Sequence, residues 1–274
     1  ELEPRLPAVA HVVYWDDRGM WKYAHPKLAT FEAVSALGDP KLASDPKAFD
    51  AEVAAGGGDD IAVLSYTSGT TGLPKACVLT HRNLFDGTAR IVGVIRFRKF
   101  TRYLSYISPA WATEQFFGLT LGIMVPFVVN FPEEPETVQE NIREIGTEVL
   151  MLNPRQWESL ASVCEAKMMD AGPLRQAIYR WGLKVGREVR LAALEGKPAG
   201  AGDKLRLKLA DTFVLSHLRD NLGLQDAYFP VSGGSGMAPD VFRLFHAMGV
   251  PLRNIYGATE MGLFSLHQGD VYDL

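Results

Sequence analysis

With 274 residues, 47% of them hydrophobic and 22% charged, the chain is long enough to bury a substantial core and has the composition of an ordinary globular protein of one large or two modest domains. A formal charge of -4 argues against a general nucleic-acid binder, which needs a strongly basic face. Cys77 and Cys164 stand far apart and outside any C-x-x-C, which excludes a disulfide scaffold and a thiolate zinc site and fits a reducing cytoplasm.

Residues 1–60 hold one expected strand, Val9–Tyr14, a polar region rich in Trp, Tyr and Pro, a short helical stretch, and the spacer Ala54–Asp60. Two short apolar runs of β-formers follow, Ile61–Tyr66 and Ala76–Thr80. Between them lies Tyr66-Thr67-Ser68-Gly69-Thr70-Thr71-Gly72-Leu73-Pro74-Lys75. Glycines let backbone N–H groups approach an anion, the hydroxyls add donors, and the lysine adds a mobile positive charge, so the segment has the ingredients of a polyphosphate loop joining two strands. Its spacing is not the G-x-x-x-x-G-K-[ST] of P-loop NTPases, and Ala76 occupies the Ser/Thr position. A plain Ser/Thr/Gly turn is the bland alternative.

Thr80 precedes periodic apolar residues as a helix start. Tyr103–Ser108 reads as a strand, Ala110–Phe117 as the start of a buried helix, and Val125–Phe131 as the next strand. Gly118, Gly122 and Pro126 break the apolar stretch from Phe116 to Phe131, and the chain opens on Glu1-Leu2-Glu3-Pro4, so neither a transmembrane helix nor a signal peptide is expected. Pro135 starts a helix that ends near Gly146, before the strand Val149–Leu152. Residues 154–222 read as mostly helical, interrupted at Gly196–Gly202. From Leu174 to Lys208 nine Lys/Arg face three Asp/Glu, which suits either a solvated helical face or peripheral association with an anionic membrane surface. The alternation of strands and helices predicts an α/β fold with a mainly parallel sheet, flanking helices and a mostly helical insertion.

From Tyr228 to Glu260 the order is strand, glycine-rich loop, helix, strand, polar loop, which is a βαβ unit. Tyr228–Val231 and Leu252–Tyr256 are its strands, and its helix Pro239–Met248 starts on proline and stops at Gly249. The loops Ser232-Gly233-Gly234-Ser235-Gly236 and Gly257-Ala258-Thr259-Glu260 then lie at carboxyl ends of parallel strands, where open α/β sheets bind ligands, and their glycines suit a slot for a flat base. Thr259 supplies a hydroxyl donor and Glu260 a hard oxygen ligand able to hold Mg²⁺ on phosphates. The six histidines form no H-x-x-x-H pair, so no metal cage built from protein side chains is expected.

Tyr66–Lys75 resembles the phosphate-loop motif of the adenylate-forming acyl-CoA synthetases, and Tyr256–Glu260 resembles their aromatic-Gly-x-Thr-Glu motif. Agreement extends to Thr80–Leu84, Ser232–Gly236 and Asn130–Glu140, the last resembling the bacterial long-chain branch. The resemblance implies the large N-terminal domain of an enzyme that joins a fatty acid to ATP as acyl-AMP and then to coenzyme A, with Mg²⁺ as cofactor. It implies that Thr67, Ser68, Thr70, Thr71 and Lys75 hold the β- and γ-phosphates around Gly69 and Gly72. Thr259 would contact the α-phosphate and Glu260 would carry Mg²⁺, making Lys75, Thr259 and Glu260 the catalytic set. Gly234, Ser235, Tyr256, Gly257 and Ala258 would line the adenine slot, and Trp111, Glu114 and Gln115 the acyl pocket. For Trp111, a gate and a packed core aromatic are equally good readings.

Departures from the family pattern are informative too. The chain stops at Leu274, before the family's Tyr-x-Thr-Gly-Asp ribose motif and C-terminal domain, and begins after the usual first segment, so it is expected to be the middle of a longer synthetase, inactive alone. On that view residues 1–60 are a lead-in, 61–153 the phosphate loop and first α/β part, 154–222 the helical insertion and 223–274 the adenine-binding part. Ala76 stands where the family has glycine. The competing readings are adenylation of an aryl or amino acid, acyl loading of a carrier protein, a non-catalytic nucleotide- or acyl-binding module, and a membrane-surface adaptor.

Overall fold

The computed structural model describes residues 3–67 and 73–267, so Ser68, Gly69, Thr70, Thr71 and Gly72 lie outside the described residues. The chain divides into two units, Glu1–Asp60 and Ile61–Leu274. In the first, β1 (Val12–Tyr14) pairs in parallel with β2 (Leu28–Thr30), and three short helices follow, Phe31–Ala36, Gly38–Ser44 and Ala48–Ala55. Thr30 caps the first of them by accepting the Ala33 N–H at 3.0 Å, and the Trp15 and Phe31 rings meet at 4.5 Å. The strand expected from Val9 begins only at Val12.

The second unit opens on an antiparallel hairpin, β3 (Ile61–Thr67) and β4 (Lys75–Thr80), with Thr67 paired opposite Lys75. The phosphate-loop segment does join two strands, as its apolar flanks require. Thr80 then starts the helix His81–Val94 with a reciprocal cap: its side chain accepts the Asn83 N–H while the Asn83 side chain accepts the Thr80 N–H.

The main sheet comprises β5 (Arg102–Leu104), β6 (Val128–Asn130), β7 (Val149–Leu152), β8 (Phe229–Ser232), β9 (Arg253–Ala258) and β10 (Gly262–Leu266). They lie in the order β10-β9-β8-β7-β5-β6, parallel except for the antiparallel pair β9 and β10. The apolar run of β7 shows why this sheet forms. Val149 and Met151 join one core cluster with Tyr103, Phe229 and Val231, while Leu150 and Leu152 join the other with Trp157, Leu215 and Phe245. A strand covered on both faces has no use for polar residues at alternate positions.

From Pro154 to Asn221 the chain is helical apart from two breaks, with rods at Pro154–Met169, 173–194 and 201–221. The last two contain π-helical turns, Arg187–Leu191 and Asp211–Leu215. Of the nine basic side chains between Leu174 and Lys208, Arg190 turns inward to Asp211, and Lys184, Lys197 and Arg206 pair with Glu188, Glu195 and Asp203. Among the described residues no helix is long and apolar enough to cross a membrane. The βαβ helix runs Pro239–Met248 as expected, and Gly249 ends it at φ 89°, in the left-handed region that favours glycine.

Several strands differ from their sequence expectation for identifiable reasons. β5 ends at Leu104 and not Ser108: the Ser105 N–H still donates to the Asn130 carbonyl at 2.8 Å, but β6 ends at Asn130 and leaves nothing further to pair with on that side. The strand expected over Val125–Phe131 shrinks to Val128–Asn130, since the Val125 N–H still closes the preceding helix on Leu121 and Pro126 has no N–H. The helix expected from Pro135 is a 3-10 turn there and becomes α only over Val138–Ile145. β9 runs on through Gly257 and Ala258, which were expected in a loop. A Cβ at Gly257 would stand 2.6 Å from the Gly262 carbonyl oxygen, so only glycine lets β10 close this near.

Candidate active site

The sheet changes direction at β5: the chain steps outward from β5 to β6 and returns to the other side of β5 as β7. Such a switch leaves a crevice at the carboxyl ends of the strands. A cavity of about 510 Å³ lies there, lined by Tyr106 and Ile107 beyond β5, by Asn153 to Gln156 beyond β7, and by Gly233, Gly234 and Ser235 beyond β8. A second cavity of about 230 Å³ shares Trp111, Thr113, Met151 and Gly234 with the first, and continues along Gly257, Ala258 and Thr259 on one side and Ile91, Phe116, Phe117 and Leu263 on the other. The two glycine-bearing edges read from the sequence thus meet on one cavity, with Gly234 at φ 94° turning the first of them.

Trp111 is 67% exposed and stands on the boundary of both cavities, so the packed-core reading of this residue falls away. It sits in extended conformation just before a helix that begins at Ala112, two residues later than the sequence suggests. Glu114 and Gln115 line neither cavity. Both are buried: Gln115 donates to the Pro109 carbonyl at 2.5 Å, and Glu114 accepts from the Tyr103 hydroxyl at 2.9 Å and from Ser105 at 2.6 Å. They hold the Trp111 loop from behind instead of contacting what enters the pocket. Gly118 is required beside them, since a Cβ there would overlap the Glu114 carboxylate.

Burial pushes the Glu114 carboxyl above the ordinary carboxylate value, opposed by the hydrogen bonds from Ser105 and Tyr103. A raised folded pKa gives stability that is complete below the unfolded value and is lost as pH rises through the folded one. Glu114→Gln keeps one carbonyl acceptor and removes the buried charge. The variant is therefore expected to gain melting temperature over the wild type as pH rises from 4 to 8, with no gain at pH 4. Parallel melting curves for the two proteins across that range would refute this.

Of the expected phosphate contacts, Thr67 and Lys75 flank the loop from opposite strands and line neither cavity. Lys75 is exposed and makes no ion pair among the described residues. Ser65 Oγ, on the same hairpin, lies 3.5 Å from the Ala110 carbonyl oxygen next to Trp111. Thr259 and Glu260 occupy the turn between β9 and β10. The Glu260 charge reaches Cys77 on β4, where, second to burial, it raises the thiol pKa, so this turn lies near the strand that begins at Lys75. Tyr256 lies between Ile255 and Gly257 along β9 and so points to the opposite face, where its ring sits 5.7 Å from Phe264.

Sequence reasoning passed over Tyr106, Asn153 and Gln156, which supply polar groups to the larger cavity. The Tyr106 hydroxyl lies 2.8 Å from both the Met151 carbonyl oxygen and Gln156 Oε1, and Asn153 and Gln156 form a reciprocal cap at the start of the helix Pro154–Met169. For Asn153 and Gln156 the signal was positional, since they follow the fully apolar strand β7 at its carboxyl end, whereas Tyr106 falls inside the strand expected over Tyr103–Ser108.

The chain is 29% identical over 205 residues to a putative fatty-acid–CoA ligase, fadD11, of Mycobacterium tuberculosis, a match covering 74% of this chain and 36% of that protein. It is 23% identical over 268 residues to the long-chain-fatty-acid–CoA ligase ACSBG2 of Xenopus laevis, covering 95% of this chain and 35% of that protein. It thus spans about a third of the length of these curated relatives. Among solved structures, VinN in complex with L-aspartate aligns with a TM-score of 0.55 at 15% identity over 94% of this chain and 52% of that one. The inhibitor-bound N-terminal domain of FACL13 from Mycobacterium tuberculosis gives 0.51 at 17% identity over 91% and 50%. Both share the mixed α/β fold with its mostly parallel sheet. The model of the AMP-binding enzyme family matches residues 6–273, nearly the whole chain, and with the crevice and its two glycine-bearing edges already in place, the chain belongs to that family.

Proposed function

We propose that the protein carrying this chain activates a fatty acid with ATP as acyl-AMP and transfers the acyl group to coenzyme A. One observation carries the reading: Gly234 and Gly257–Thr259, from the ends of two different strands, line one mostly apolar cavity beside Trp111. An acid seated there places its chain against Phe116 and Ile91 and its carboxylate toward Thr259. Thr67, Ser68, Thr70, Thr71 and Lys75, around Gly69 and Gly72, would hold the outer phosphates, Thr259 the α-phosphate, and Gly234, Ser235, Gly257 and Ala258 the adenine.

In the first half-reaction a carboxylate oxygen bonds to the α-phosphorus as the bond to pyrophosphate breaks. In the second the thiol sulfur of coenzyme A bonds to the acyl carbon as AMP leaves. Fixed donors and the Lys75 charge stabilise the charge developing on the phosphoryl oxygens and on pyrophosphate. Mg²⁺ suits the donor set: a magnesium ion held mainly by phosphates needs only one or two carboxylates, and Glu260 stands in the turn after β9 beside Thr259. Glu260 would be that ligand, and the ion would neutralise phosphate charge.

The test is carboxylate-dependent exchange of pyrophosphate into ATP by the intact gene product. Exchange with fatty acids is expected, and Lys75→Ala should lower its rate about a hundredfold, the scale of losing one pre-placed donor. Absence of exchange with every acid would reduce the reading to a binding module.

A further inference from the structure

The buried part of the smaller cavity's lining includes the aromatic ring of Phe116, packed where the helix His81–Val94 meets β10. The lining runs from the exposed Trp111 to Ile91, Phe116 and Phe117, which are 3%, 6% and 3% exposed. Phe116 belongs to the π-helical turn Gln115–Thr120, and its ring is wedged between two glycines. A Cβ at Gly87, on the helix His81–Val94, would lie 2.8 Å from Phe116 Cε1, and one at Gly262 on β10 would lie 3.1 Å from Cζ. At both positions the three nearest atoms all belong to this ring. Both glycines therefore offer bare backbone, and the ring fills the seam between helix and strand.

The cavity is small for the acids named by the relatives. A dry protein cavity of about 150 Å³ holds one benzene, six carbons. On that scale the volume of about 230 Å³ on the Phe116 side of the wall shared at Trp111 and Gly234 holds at most roughly nine, less whatever a base beside Gly257 and Ala258 takes.

We propose that Phe116 is the chain-length stop of the acid pocket. It confines the acid to about eight to ten carbons, and its removal opens the pocket through the seam between Gly87 and Gly262 to long-chain acids. The inference rests on the adenylation reading above for its substrate class. Each methylene moved from water into an apolar cavity strengthens binding roughly fourfold, so a few carbons beyond the stop change selectivity steeply.

The experiment compares saturated acids from hexanoate to hexadecanoate in ATP–pyrophosphate exchange by the intact gene product. Octanoate and hexadecanoate are also titrated into the same protein calorimetrically. The wild type is expected to peak at octanoate or decanoate. Phe116→Ala should raise kcat/KM for hexadecanoate relative to octanoate about tenfold or more, with Phe116→Leu in between. Should Phe116→Ala not fold, Ile91→Phe adds volume to the same lining from the helix His81–Val94 and should move the peak down to hexanoate. A wild type that peaks at hexadecanoate, or variants that keep the wild-type profile, would overturn the stop. Exchange with a length profile that ignores Phe116 leaves adenylation standing without it. Binding that shows the predicted length limit without any exchange leaves the stop standing and overturns adenylation.

Discussion

Trp157→Ala is expected to lower the unfolding free energy by about 4 kcal/mol, within the range for emptying a fully buried aromatic site. The side chain is wholly buried on the helix Pro154–Met169, its indole N–H donates to the Val231 carbonyl at 3.2 Å, and its ring meets Phe245 edge to face at 4.9 Å. It therefore ties the helix after β7 to the strand β8 and to the helix Pro239–Met248 at once. Substitution by alanine removes packing on three elements and a buried donor together. Trp157→Phe keeps most of the ring and loses the donor, so it should cost about 1–2 kcal/mol. Urea unfolding of the three proteins checks this, and a loss below about 1 kcal/mol for the alanine variant would contradict the packing account.

The second large effect is expected at Asp211. Its carboxylate lies 2.8 Å from Arg190 and 2.7 Å from Arg219, whose side chains are 24% and 10% exposed. The same guanidiniums donate to the Ala247 and Met248 carbonyls, at 3.0 and 2.6 Å, and so cap the C-terminal end of the helix Pro239–Met248. Asp211→Ala leaves two cations facing each other in a mostly buried space and should cost about 3 kcal/mol, the lower end for breaking a buried pair because Asp211 retains some exposure.

The effect carries a pH signature. Burial raises the Asp211 pKa, but the hydrogen bonds and charges of Arg219 and Arg190 together outweigh it and hold the carboxyl below its usual value. A depressed folded pKa gives stability that is present above the unfolded value and is lost as pH falls through the folded one. The gap between wild type and Asp211→Ala should therefore be full at pH 7 and shrink in acid. A gap that stays constant down to pH 2 would show that the loss comes from packing and not from the ion pairs.

What the sequence revealed was local. Val149–Leu152 announces a doubly covered strand because all four residues are apolar, and Pro239–Met248 announces its own helix through the proline at its start and Gly249 after its end. Thr80 likewise carries its cap in the next three residues. The glycine-bearing edges were legible because βαβ handedness fixes where they must lie. The inward turn of Arg190 toward Asp211 was hidden, because its partner stands on another helix and the segment reads only as a run of basic residues. Trp111 was ambiguous for the same reason: an aromatic at a strand-to-helix corner can face either way, and only Glu114 and Gln115, buried behind it, leave it facing outward. β10 escaped notice because Gly262–Leu266 forms an edge strand whose pairing depends on the missing side chain at Gly257.

The π-helical turns at Arg187–Leu191 and Asp211–Leu215 have a consequence for descent. Each is a one-residue surplus in an otherwise regular rod, and the ion pair between Arg190 and Asp211 joins the two surpluses to each other. Deleting one residue at either place would restore the ordinary helix and remove the local widening, leaving the rest of the rod in register. Because the ion pair spans both widened turns, losing one of them would re-aim its arginine or aspartate, so the two surpluses should be inherited together or lost together.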